Sequence, residues 1–235
     1  MDSLLSALFS SSAEEQYILD CMAYLMILMA ACTFVSLLFL NVPYGRYASS
    51  TYGFPVNAKL AWFVQELPAF LLPICLLVWA SSAKSSLLTN QLLIAMFLCH
   101  YTQSFMQIRY LSHYAEYPAD WVTHPCFIAG SALWLLGWLT NLHSDHILRN
   151  LRRSGESGYK IPRGGMFEYV SGANFFGEIT EWTGFALAGQ SVHSAAFAIF
   201  TAVVLSSRAF AHHKWYLAKF EDYPKTRKAL IPFLV

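Results

Sequence analysis

Apolar runs long enough to cross a bilayer recur along this chain, and they constrain its fold more than any other feature. Residues 17–40 form a run of about 24 residues, enough to cross with some tilt. Residues 60–80, 125–142 and 167–187 read as further spans, and 87–101 and 192–206 as shorter ones of marginal length. Inside hydrocarbon every backbone polar group must be satisfied within the segment, so such runs are helices. Composition agrees: 56% of the residues are hydrophobic and 12% are charged, against about a quarter charged in soluble domains. The expectation is an all-α, polytopic membrane helix bundle of about six spans, in one domain over residues 1–235.

A net charge of +1 leaves no footprint for nucleic acid. The five cysteines lie in or beside apolar runs without a CxxC and read as small hydrophobes. The polar, acidic start followed by a long apolar run reads as a signal anchor, not a cleavable signal peptide. The basic segment 141–169 and the basic tail from Arg208 are separated by two runs, so they share one side, which the positive-inside rule makes cytosolic. The loop bearing Arg46 and Lys59 also wants the cytosol. Yet three runs, 60–80, 87–101 and 125–142, separate it from the central basic segment, as if one crossing were missing near Thr102.

Polar groups inside the runs point to chemistry. Gln65 and Glu66 sit in the second run, where a carboxyl costs about 2.5 to 3.5 kcal/mol and so should face the bundle interior. Asn174, Glu178 and Glu181 share one helical face in the fifth, which implies a wet or ligand-filled interior. The segment 141–169 holds Arg149, Arg152, Arg153, Lys160 and Arg163 with His143, Asp145, His146 and Tyr159. Arginine pairs bidentately with phosphate, so this loop suits a phosphorylated ligand as well as it suits a topology signal.

An oily chamber with a buried acid fits a greasy substrate carrying one polar handle. Burial raises a carboxyl pKa, so a protonated Glu66 can donate a hydrogen bond to a ketone, with Tyr101 as a second donor. Donors on a carbonyl oxygen draw electrons from a conjugated double bond, so that its β-carbon accepts hydride. Hydride requires a nicotinamide or flavin, whose phosphates the basic loop and tail can hold. No GxGxxG follows a strand, which excludes a Rossmann site. His143 with His146, and His212 with His213, are too few for a membrane metal oxidase, so no metal site is assigned.

The stretches WFVQELP (62–68), NLHSDHILRNLR (141–152), GYKIPRGGMFEYVSGANFFGEITEW (158–182) and RAFAHHKWYLAKFEDYPKTRKALIPF (208–233) resemble the steroid 5α-reductases, the 3-oxo-5α-steroid 4-dehydrogenases of the endoplasmic reticulum. The vertebrate type 1 and type 2 enzymes are the nearer branches, and the motifs keep their order over nearly the whole chain. The resemblance implies NADPH-dependent reduction of the Δ4 double bond of 3-oxo steroids such as testosterone and progesterone, by a protein embedded in membrane lipid with a cytosolic tail. It implies that Glu66 and Tyr101 bind the steroid ketone and that Gln65 lines the same pocket. It implies a cofactor-contacting set of Asn141, Asp145, Arg152, Tyr159, Asn174, Glu178, Arg208, His212 and Tyr216, with Arg149, Lys160 and Arg227 in the same motifs.

One departure stands out. After His100-Tyr101 the family continues through a basic stretch, an Arg/Gly/Pro loop and a further hydrophobic helix; here TQSFMQI runs straight into Arg109-Tyr110-Leu111. The charge pattern locates its missing crossing at the same place. A shortened chain of this kind is expected to fold poorly or reduce steroid weakly. The alternatives are a form that binds cofactor or lipid without turnover and a reductase of another conjugated carbonyl, such as an enoyl thioester.

Overall fold

The computed structural model of the chain describes residues 11–40, 87–99, 115–152 and 158–235. Five helices occur there: α1 (Ser12–Phe39), α2 (Leu88–Cys99), α3 (Pro125–Arg149), α4 (Ala173–Gly189) and α5 (Val192–Lys219). Single 3-10 turns form at Trp121–Thr123 and Gly165–Glu168. Among the described residues there is no strand, only a parallel bridge between Val170 and Lys228. Helices α1, α3 and α5 are long and apolar enough to cross a bilayer. The protein is a membrane helix bundle.

Among the described residues α3 and α4 pack most closely, and glycine makes it possible. Gly130 and Gly137 on α3 meet Gly184 and Gly177 on α4, each pair two turns apart, with the helices antiparallel. A Cβ at Gly177 would lie 2.6 Å from the Asn141 nitrogen and 3.0 Å from its Cα. A Cβ at Gly130, Gly137 or Gly184 would run into the backbone of Ala188, Glu181 or Trp134. Lipid gives helices no hydrophobic reason to associate, so close backbone approach through small residues supplies the contact. Trp134, Trp182, Phe185 and Phe197 fill the space beside this seam, with Leu93, Ile94 and Met96 of α2 against them.

Helix α1 lies on α5 and runs parallel to it. Leu19 and Ala23 pack on Ala196, and Asp20 Oδ1 stands 3.3 Å from Nε2 of the fully buried His193. Further along, Phe34, Leu37 and Leu38 face Val203, Ser206 and Phe210. Other large side chains of α1, Leu25, Leu28 and Met29 among them, stay exposed, as suits a helix that faces lipid.

At the α4–α5 turn Gln190 adopts the left-handed conformation (φ 40°) and Ser191 caps α5 reciprocally with Ser194. The last carbonyls of α4 accept from outside the helix: Tyr117 Oη donates to Gly189 O at 2.5 Å and Trp121 Nε1 to Ala188 O at 3.1 Å.

These directions bear on the crossing count. Leu40 leaves α1 at the end of the bundle where Arg149 leaves α3, where α4 begins and where α5 finishes. Pro125 enters α3 at the other end. Leu40 and Pro125 therefore stand at opposite ends of the bundle, and residues 41–86 and 100–114 between them lie outside the described residues. The basic segment following α3 and the tail following α5 lie at the same end, as their charge pattern implied.

Three span limits need correction. The fifth run, read as 167–187, is helix only over Ala173–Gly189, because the Gly165–Glu168 turn and the Val170–Lys228 bridge precede it. The fourth run, read as 125–142, continues as helix to Arg149, and the sixth, read as 192–206, continues to Lys219. Hydropathy ends a span at its first cluster of charges, but backbone hydrogen bonding carries the helix on into the interfacial zone. The second run, 60–80, lies outside the described residues.

Candidate functional site

The end of the bundle where α3 and α5 finish and α4 begins collects the polar groups. Asn141, in the last third of α3, donates through Nδ2 to the Asn174 carbonyl in the first turn of α4 at 3.4 Å. The contact follows from the glycine seam, because Gly177 lets Asn141 come against α4. Asp145, one turn further along α3, and Glu178, one turn further along α4, are half-buried, while Glu181 is fully buried at the seam. Asn174, Glu178 and Glu181 do occupy one face of α4, as their spacing predicted.

Helix α5 brings the next group. Arg208, His212 and Tyr216 are four residues apart on one face. Phe175 of α4 stands between the first two: Arg208 Cζ is 5.1 Å from its ring centroid and the His212 ring 5.4 Å. A guanidinium over an aromatic face keeps its charge in a partly desolvated place. Tyr216 is buried and stacks on Tyr223, with ring centroids 5.2 Å apart and planes 7° from parallel.

The central segment reaches α5 through aromatic contacts. Arg152 Cζ lies 5.9 Å from the Tyr159 ring, Tyr159 meets Trp215 edge-on at 4.8 Å, and Trp215 meets Tyr216 at 5.3 Å. Arg149 and Lys160 are exposed. The two histidines of the tail part company: His212 faces Phe175, while Nδ1 of His213 is 2.6 Å from Ser171 Oγ. His143 packs against the Gly164-Gly165 turn, where φ of +91° and +52° needs glycine and where a Cβ on Gly165 would lie 2.6 Å from His143 Cε1. Among the described residues no three His, Cys, Asp or Glu side chains gather in a way that could hold a metal ion.

The C-terminal segment closes the site from outside. Ser171 N donates to Lys228 O at 2.9 Å, Gly172 N to Ala229 O at 3.0 Å and Lys228 N to Tyr169 O at 2.9 Å. Buried Arg227 donates to Pro162 O at 2.8 Å and to Glu168 Oε2 at 3.2 Å. The tail, the Gly164–Glu168 turn and the start of α4 are thereby one unit. Glu66, Gln65 and Tyr101 lie outside the described residues.

A sequence profile described as 3-oxo-5-alpha-steroid 4-dehydrogenase matches residues 84–235. The 3-oxo-5-alpha-steroid 4-dehydrogenase 1 of Mus musculus is 49% identical, over 94% of this chain and 99% of the relative. The chain belongs to this family. The type 1 protein of Homo sapiens is 46% identical over 96% of the chain and 98% of the relative, and the type 2 protein of Rattus norvegicus 43% over 81% and 87%. The alignment to the mouse family member spans 252 positions, more than the 235 residues available here, so that relative has residues this one lacks.

The residues of this family member that sequence reading missed are Phe175, Trp215, Ser171 and Tyr223, together with the anchoring parts played by His213 and Glu168. Phe175 and Trp215 sit next to Asn174 and Tyr216, and a helical reading of RAFAHHKWY would have put 208, 212 and 216 on one face. Nothing in the sequence pairs Ser171 with Tyr223.

The Glu168 carboxyl titrates below the usual carboxylate range. The Gly164 N–H bonded to it at 2.5 Å is the main cause, the Arg227 and Arg163 charges add to it, and partial burial opposes it. A carboxyl with a lowered native pKa contributes stability that is complete above its unfolded value, near about 4.3, and is lost as pH falls through the native one. Acid unfolding of Glu168→Gln should therefore show a shallower loss of stability below about pH 4.3 than the parent; identical acid limbs in a denaturation series would remove Glu168 from the acid response.

Proposed function

We propose that this chain is an NADPH-dependent 3-oxo-5α-steroid 4-dehydrogenase that reduces the Δ4 double bond of 3-oxo steroids such as testosterone and progesterone. We further propose that it works in the endoplasmic reticulum membrane, with the basic segment and tail cytosolic. The observation that carries this reading is the convergence of Arg208, His212 and Tyr216 on one face of α5, beside the Asn141–Asn174 contact and the Arg152–Tyr159–Trp215 ladder, in a member of this steroid dehydrogenase family.

The residues present suit a dinucleotide. Arg152 and Arg208 supply cations for phosphate, Asn141 and Asn174 supply amides, and Tyr159 and Tyr216 supply aromatic faces. Asp145, Glu178 and His212 complete the proposed set, with hydrogen-bonding groups suited to ribose and carboxamide. Bound there, the cofactor supplies hydride. Glu66, in its protonated form, and Tyr101 would donate hydrogen bonds to the 3-keto oxygen, and Gln65 would line the same pocket. Those donors draw electron density from the Δ4 bond and stabilise the enolate charge that develops on the steroid oxygen.

Membranes carrying this chain should convert testosterone with NADPH, but well below the rate of the type 1 relatives, since the residues it lacks relative to the mouse protein favour weak turnover or cofactor binding alone. Turnover equal to a full-length relative would refute the weakness. Glu66→Gln should reduce the residual rate by about 100-fold or more, the scale of losing a charge-stabilising donor. An unchanged rate would remove Glu66 from the mechanism.

A further inference from the structure

We propose that Tyr223 is a positioning residue for the cofactor site: it holds the ring of Tyr216 in place, and so sets the affinity for NADPH without touching the steroid. The inference rests on the reading of Tyr216 as a cofactor contact.

Tyr216 lies one turn from the end of α5 at Lys219, where a helix frays most readily. Its ring therefore needs support from outside the helix, and Tyr223 supplies it with a near-parallel stack at 5.2 Å. Tyr223 is itself buried, and Arg227 Cζ stands 5.5 Å from its ring. Its hydroxyl is 2.6 Å from Ser171 Oγ, and the same Oγ is 2.6 Å from His213 Nδ1. Ser171 is buried at the entry to α4 and held by its backbone bond to Lys228.

The serine hydroxyl has one hydrogen and two lone pairs, so it can serve both neighbours at once. Three elements thus converge on one tyrosine: the start of α4 through Ser171, α5 through His213, and the tail through Arg227. A buried network in which each short bond polarises the next orients its members narrowly. The outcome is a fixed plane for Tyr223 and, through the stack, for Tyr216.

The test is NADPH binding to the whole chain in detergent, read by the fluorescence of the reduced nicotinamide, with testosterone binding and thermal unfolding measured alongside. Tyr223→Leu removes the stack and should weaken NADPH by about tenfold, the upper end of what an aromatic pair contributes. Tyr223→Phe keeps the stack and should stay within about threefold of the parent. Testosterone binding should not move in either. If Tyr223→Leu does not fold, Tyr223→Met is the equivalent non-aromatic replacement. Equal losses for the Phe and Leu variants, unchanged NADPH binding in the Leu variant, or a parallel loss of testosterone binding would each overturn the proposal. Tyr216→Ala separates the two levels. If it leaves NADPH binding intact, the cofactor reading itself fails and this inference with it. If it weakens NADPH while Tyr223→Leu does not, only the positioning role fails.

Discussion

Gly137→Leu is expected to keep α3 and α4 from closing on each other, with a loss of at least about 3 kcal/mol and little monodisperse protein recovered in detergent. The added side chain would start inside the backbone of Glu181, and a backbone cannot rotate away as a flexible side chain can. Relief requires the two helices to separate along the whole seam. That would break the Gly177 contact with Asn141 as well, and with it the Asn141–Asn174 bond. Thr183→Ala on the exposed side of α4 is the control and should cost no more than about 0.5 kcal/mol. Thermal unfolding monitored by circular dichroism measures both. A Gly137→Leu protein that melts with the parent would mean that the helices do not approach as closely as described.

Arg227→Leu is expected to release the C-terminal segment. It removes donors from Pro162 O and Glu168 Oε2 together and leaves the buried carbonyl without that partner. Hydrogen bonds from a charged donor contribute about 1.5 to 3 kcal/mol each, but Glu168 is 46% exposed, and solvent screens its share. A net cost of about 2 kcal/mol is expected. The readout is local: the amides of Ser171, Gly172 and Lys228, bonded across the two segments, should exchange faster while those in the middle of α4 do not. Parent-like protection at Ser171 and Gly172 would show that the tail is held without Arg227.

Both substitutions act on features that were unevenly visible beforehand. The spacing of Gly130 with Gly137 and of Gly177 with Gly184 is written in the sequence, yet it marks a helix contact only once the two helices are known to be partners. The face carrying Arg208, His212 and Tyr216 is readable too, but hydropathy falls after Ser206 and by itself ends the run there. A polar helix end and a polar loop look alike by composition. The hydrogen bonds that separate them join residues four apart and do not depend on hydropathy. The junction of Arg227 with Pro162 and Glu168 was out of reach: its partners are 65 and 59 residues away, and only the fold brings them together.

By itself the sequence determined that this is a helical membrane protein, because apolar runs of bilayer length leave the backbone no other way to satisfy its polar groups. It determined the family as well, through motifs that keep their order across the chain. The tertiary structure decided which helices touch, since close approach depends on where small residues of two segments coincide. It also decided that Ser171, His213 and Tyr223 form a support behind Tyr216. Residues distant in the chain become neighbours only when packing has already paid the entropy of closing the loops between them.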